Sequence, residues 1–327
     1  MGLIRWLFGL IELVVVLSLV LGAAVVGVGV YYYMPGPLAE NKIILIERSR
    51  LGRIADRLEQ EGVFTPAQAL VFQAGTVATG RRGSLKAGEY EFPANISPAG
   101  VTALLAGGQV IVHKITVVDG MTVREVLDAL KADATLTGEI GTVPPEGTLL
   151  PETYFFNRGD TRAGLIARMQ DAAKKALDEA WAHRADNLPL KNPLEALTLA
   201  SIIEKETGVP DERPRVAGVF VNRLRRGMKL QSDPTTIYPL SHFTGNLGRS
   251  LTSKDLETPS PYNTYYAAGL PPGPIANPGL ASIKAALNPE VNDYLYFVAD
   301  GSGGHAFAGT LEQHNRNVAR WRQLQRQ

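Results

Sequence analysis

The chain has 327 residues, a formal net charge of +1 and no cysteine. Its length exceeds a single small module, since domains run about 100–200 residues, and the near-neutral balance leaves no global signature of nucleic-acid binding. The missing thiol removes disulfides, thiolate catalysis and cysteine-ligated metal sites.

Residues 13–34 carry no charge, and a helix crosses the hydrocarbon core with roughly 20 residues. A spanning helix is predicted there. Tyr31, Tyr32 and Tyr33 occupy its exit, where a signal peptide would carry a small-residue cleavage site, and they read as an aromatic belt. Arg5 precedes the segment and no lysine or arginine follows before Lys42. By the positive-inside rule this puts residues 1–12 in the cytoplasm and the bulk of the chain outside.

After a Pro/Gly-containing linker at 35–41, a strand of Ile43, Ile44, Leu45 and Ile46 leads into a helix with Leu51, Ile54, Ala55 and Leu58 at helical spacing. Residues 113–130 repeat that order, with Thr122 and Glu125 spaced as a capping box. A weaker unit lies between them, strand-like at 88–92 and helical at 97–105. Such short strand–helix units are similar to LysM-like glycan-binding modules and define a region at 42–140.

The remainder, 141–327, reads as one α+β domain. A segment at 146–156 precedes two helices, 162–182 with Leu165, Ile166, Met169, Ala173 and Leu177 on one face, and 193–207. From residue 208 the chain is rich in Pro, Gly, Asn and Tyr, with a helix at 216–226, a strand at 294–298 and a basic-faced helix at 311–325. Loops of this composition on a rigid scaffold are where sites tend to sit.

Glu204 and Glu206 are two residues apart on the second of those helices, so they point to different faces. With Leu199 as origin, Ile202, Ile203 and Glu206 fall within roughly 60° of it, whereas Glu204 lies about 140° away, near Leu197 and Ser201. Glu206 therefore shares the apolar stripe. A carboxyl held against apolar surface has a raised pKa, as a general acid that protonates a glycosidic oxygen requires. The five histidines are scattered, with no HExxH spacing, and no phosphate-binding glycine loop or nucleophile elbow occurs. No metal or other cofactor is expected.

Several ordered motifs accompany that helix: ASIIEKET from Ala200 to Thr207, VFVNRL from Val219 to Leu224, LQSDPT from Leu230 to Thr235, YNTY from Tyr262 to Tyr265, GLPPGPI from Gly269 to Ile275, and YFVAD from Tyr296 to Asp300 leading to His305 and Phe307. Together with the N-terminal segment they resemble the MltG (YceG-like) family of endolytic murein transglycosylases. The resemblance implies an α+β protein with a transmembrane helix, LysM-like α/β modules and a C-terminal catalytic domain. It implies a lyase of the cytoplasmic (inner) membrane, acting on its periplasmic or extracytoplasmic side. There it would cleave the MurNAc-β-1,4-GlcNAc bond of nascent peptidoglycan to leave 1,6-anhydro-MurNAc ends and terminate strand elongation.

One carboxylate suffices for that reaction, whereas glycoside hydrolases need a second as nucleophile or base. In related lytic enzymes a small hydroxyl residue follows the acid, which Glu206-Thr207 matches and Glu204-Lys205 does not. Glu206 is the expected catalytic residue, with Glu204 and Thr207 in support. Gln231, Asp233, Thr235, Tyr262, Asn263, Tyr265, Glu152 and Tyr154 supply the amides, hydroxyls and aromatic faces that sugar recognition uses. Expected partners are glycan strands, the membrane and, by family, penicillin-binding synthases, with no nucleic acid. A muramidase-type hydrolase and a non-catalytic glycan-binding scaffold stay open as alternatives.

Overall fold

A computed structural model describes residues 2–326. The chain is a mixture of helices and strands in two units, Met1–His113 and Lys114–Gln327.

In the first unit, α1 (Gly2–Tyr33) contains a 26-residue apolar stretch, Phe8–Tyr33, with none of its most hydrophobic window buried. The side chains of residues 2–5 and 7, Arg5 among them, lie outside the description. β1 (Lys42–Ile46) is followed by α2 (Leu51–Gln60), α3 (Pro66–Ala78), β2 (Gly88–Phe92) and α4 (Pro98–Gly107). β1 and β2 pair antiparallel, Lys42 opposite Phe92 and Ile46 opposite Gly88. Their inward side chains, Ile44, Ile46, Tyr90 and Phe92, close over Leu58, Phe72, Val101 and Leu105. α3 was not foreseen, although Thr65 and Gln68 form a capping box and Pro66 presets the first turn.

One expectation fails at the helix exit. Tyr33 is 72% exposed, but Tyr32 is buried against Gly75 and donates its hydroxyl hydrogen to Thr102 Oγ1 at 2.9 Å. It is a peg in the first unit and not part of an aromatic belt.

From Lys114, the second residue of β3 (His113–Thr116), the second unit runs through α5 (Val123–Ala132), β4 (Thr153–Phe156) and α6 (Arg162–Ala182). β3 pairs with β4, above a small core of Val126, Leu130, Leu149, Leu165 and Met169. The three strand–helix units expected from the sequence therefore do not recur as separate modules. Strand pairing is a tertiary choice, and β2 and β4 supply the partners.

The larger core is built around α7 (Pro193–Glu206), which packs against α6, α8 (Arg213–Arg225) and α11 (Leu280–Leu287). Its residues Ala196–Ile203 are all buried, as befits a helix apolar on every side. Between α8 and α11 lie α9 (Asp233–Leu240) and the short α10 (Ser253–Leu256). Where one strand was expected, a hairpin forms: β5 (Tyr296–Ala299) pairs antiparallel with β6 (His305–Ala308), ahead of α12 (Leu311–Leu324). The C-terminal end of α7, the N-terminal end of α9 and β5 meet around one cavity.

Candidate active site

α7 stops at Glu206 because Thr207 turns extended, with φ −137° and ψ 128°, and Pro210 opens a separate 3-10 turn. Glu206 thus sits at the negative end of the helix macrodipole, an unfavourable place for a second negative charge. Its side chain borders a cavity of about 310 Å³ lined also by Arg223, Gln231, Asp233, Tyr265 and Phe297.

The carboxyl is only partly accessible, and burial pushes its pKa up to about 7, with the charge of Asp233 adding to the rise. Three groups pull the other way: the Ser232 hydroxyl, which donates to Oε1 at 2.5 Å, and the nearby charges of His305 and Arg223. A carboxyl balanced in this way is substantially protonated at neutral pH, yet has a hydrogen-bond donor ready for its anionic form.

Facing alone does not separate the two carboxylates, because Leu197 and Ser201 are as thoroughly buried as Leu199. Partners do. Glu204 Oε1 meets Arg213 Nη2 at 3.3 Å and its Oε2 accepts from the Gly279 amide at 2.9 Å, so it is neutralised and ties α8 and the start of α11 to α7. Thr207 is buried and accepts from the Val209 amide at 3.0 Å, fixing the turn after Glu206. Glu212, within hydrogen-bond reach of Thr207, engages His305 through Nδ1 at 2.7 Å and through the His305 amide at 2.9 Å.

The other sequence-predicted residues divide in two. Gln231, Asp233 and Tyr265 border the cavity with Glu206. The Tyr265 hydroxyl donates to Asp233 Oδ1 at 2.6 Å, and Gln231 holds a left-handed backbone, φ 51°, that bends the chain between α8 and α9. Thr235 and Asn263 lie beneath as structural ties. Thr235 bonds Ser232 O at 2.6 Å and Thr264 Oγ1 at 2.8 Å. The Asn263 amide is spent on Leu256 O, Thr258 O, Thr236 and the Tyr265 amide. Tyr262 rests on the Tyr238 ring, 5.3 Å between centroids. Glu152 is exposed beside β4, and Tyr154 is buried in the smaller core with its hydroxyl on Leu150 O at 2.7 Å; neither borders the cavity.

Two important residues escaped the sequence reading. Ser232 carries no distinctive signal beyond its place beside Asp233. Arg223 is 8% exposed and donates to the carbonyls of Leu295, Leu230 and Lys229 at 2.6, 2.8 and 3.2 Å, with its guanidinium over the Tyr296 ring. Desolvation lowers its pKa, and an arginine on a helix otherwise lined by Val219, Phe220 and Val221 was the available clue. Among the described residues no three His, Cys, Asp or Glu side chains gather in a metal-binding group.

The model of the YceG-like family matches residues 44–320. The endolytic murein transglycosylase of Bacillus subtilis (strain 168) is 42% identical over 176 residues, 53% of this chain and 47% of that protein. That of Streptococcus pneumoniae serotype 2 (strain D39) is 39% identical over 181 residues, 53% of this chain and 32% of that protein. The matches thus span about half or less of the relatives' length. A crystal structure of a YceG-like protein from Listeria monocytogenes superposes with a TM-score of 0.50 at 32% identity, covering 85% of this chain and 99% of that one. A match over most of the chain's length, a shared fold and a partly buried glutamate at the end of the central helix converge on one conclusion: the chain belongs to the YceG-like family.

Proposed function

We propose that the chain is an endolytic peptidoglycan lytic transglycosylase that cleaves the MurNAc-β-1,4-GlcNAc bond within nascent strands, with Glu206 as its acid and base. The observation that carries the proposal is the carboxyl itself, at a cavity and raised to about 7 by burial. Protonated Glu206 gives its proton to the glycosidic oxygen as the C1–O bond breaks. The carboxylate left behind, held by the Ser232 hydroxyl, takes the proton of the sugar's own 6-hydroxyl as that oxygen bonds to C1. The product ends in a 1,6-anhydro ring, no water is consumed and Glu206 is protonated again. Gln231, Asp233 and Tyr265 are the proposed sugar-contacting side chains. Glu204 and Thr207 position Glu206 by fixing the two ends of the turn around it.

The relatives named endolytic murein transglycosylase support this reading. The apolar α1 is consistent with a single-pass anchor, which would keep the catalytic unit at the extracytoplasmic face of the membrane where strands and their penicillin-binding synthases meet. The β-α-α-β order of the first unit, closed by an antiparallel pair, supports a LysM-like glycan-binding role. A second reading, hydrolysis by a muramidase mechanism, is favoured by one observation: Asp233 borders the same cavity and offers a second carboxylate.

Purified full chain and Glu206→Gln on uncrosslinked glycan test the enzyme reading. Loss of cleavage with glycan binding and a cooperative fold retained is expected. A variant that still cuts would assign the chemistry elsewhere, and one that neither cuts nor differs in any cellular effect would favour a scaffold.

A further inference from the structure

We infer that the outward face of α3, with the arginine-lined groove beside it, is a docking surface for the anionic lipid leaflet from which α1 emerges. This rests on α1 as the membrane anchor and adds a second, lateral contact with the bilayer. α3 contains no charged residue in its 13 positions. Ala67, Leu70, Ala74, Val77 and Ala78 all face outward, Leu70 at 68% and Val77 at 53% exposure. A solvated helix face ordinarily carries charge, and contiguous exposed apolar surface marks a place of association.

The neighbour that would cover it is indicated by α1. The last turns of α1 pack on α3, with the Tyr32 ring lying where a Cβ on Gly75 would fall at 2.4 Å. An apolar crevice of about 390 Å³ runs between Ala24, Val25 and Val28 of α1 and Ala74 and Ala78 of α3. Beyond Glu12 the uncharged stretch of α1, residues 13–33, is about as long as the roughly 20 residues that span the hydrocarbon core. The last turns of α1, which pack on α3, therefore lie towards the boundary of the leaflet, where interfacial helices bury an apolar face about 5–10 Å into the headgroup and acyl region.

Charge agrees with the assignment. The groove that adjoins Ala74 and Val77 is lined by Arg50, Arg53 and Arg82, against one acid, Asp56. Among the described residues none of the three arginines holds an ion pair, whereas Lys42 and Arg57 are both paired with Glu61. Free guanidinium groups beside an apolar helix face suit anionic headgroups, to which they are attracted over about a Debye length.

The cysteine-free chain permits single nitroxide labels on the full-length protein in phosphatidylglycerol-containing vesicles. Leu70→Cys and Val77→Cys probe the face, Val20→Cys the anchor, and Lys175→Cys on α6 an aqueous reference; all four positions are exposed. The expected result is an oxygen-to-nickel-chelate accessibility ratio for the Leu70 and Val77 labels several times that of the Lys175 label, falling in purely zwitterionic vesicles. Nickel accessibility equal to that of the Lys175 label, with the Val20 label still lipid-exposed, would overturn the docking surface alone. A nickel-accessible Val20 label would overturn the anchor with it, and a ratio indifferent to anionic lipid would remove the arginines from the account.

Discussion

The proposed mechanism starts from the acid form of Glu206, whose pKa lies at about 7, so kcat/KM is expected to fall as pH rises through about 7. Ser232→Ala removes the hydroxyl that favours the anion, so a pH–rate series should show this basic limb moving upward, together with a slower second proton transfer. The stability consequence has a definite sign. The folded pKa is raised above the ordinary 4.5, so as pH climbs from about 4.5 to 7 the unfolded chain gives up its proton while the folded chain keeps it, and stability falls. Glu206→Gln should therefore unfold at higher denaturant than the parent above pH 7, by roughly 1–3 kcal/mol, and match it near pH 4.5. An unchanged difference across that range would mean the carboxyl is solvated.

At the scale of elements, the site exists because α7, α8, α9 and β5 converge on it, and two buried charges hold them. Arg223 joins α8 to the carbonyls of Leu230 and Leu295, and Arg223→Met leaves those acceptors without donors. A loss of roughly 3 kcal/mol or more is expected in equilibrium unfolding, because buried unsatisfied groups forfeit about 1–3 kcal/mol each. Glu204→Gln weakens the tie to Arg213 by roughly 1–3 kcal/mol and should leave the pH midpoint of cleavage in place, which separates its role from that of Glu206.

The sequence made legible those elements whose pattern is one-sided. α2 and α5 read clearly because their apolar residues lie on one stripe, and Thr122 with Glu125 marked the start of α5. α3 escaped because apolar residues surround it, so no period stands out, and α11 because its 8 residues are too few to show one. α9 was hidden by Pro234 and Pro239. Helix geometry singled out Glu206 through an apolar stripe, but α7 is buried all round; what sets Glu206 apart from Glu204 lies in Arg213 and Gly279, and its donor in Ser232. Those contacts join residues up to 75 positions apart, and no local pattern encodes them.

At the scale of the whole molecule, the apolar helix α1 is also a folding element. Tyr32 fills a site walled by Gly75 and Thr102 in the first unit, so a chain that begins at Tyr31 should be more stable than one that begins at Gly36. The difference expected in thermal or chemical unfolding of that unit is roughly 2–4 kcal/mol, the range for deleting a large buried side chain. Equal stability would mean that the tyrosine docks without contributing.

In the proposed reaction one partly buried carboxyl cleaves a sugar linkage without water. Digestion of uncrosslinked glycan by the full chain in ¹⁸O-labelled water, with mass spectrometry of the new ends, addresses it directly. The prediction is 1,6-anhydro ends free of ¹⁸O and no products from Glu206→Gln. Reducing ends carrying one ¹⁸O, or undiminished cleavage by the variant, would contradict it.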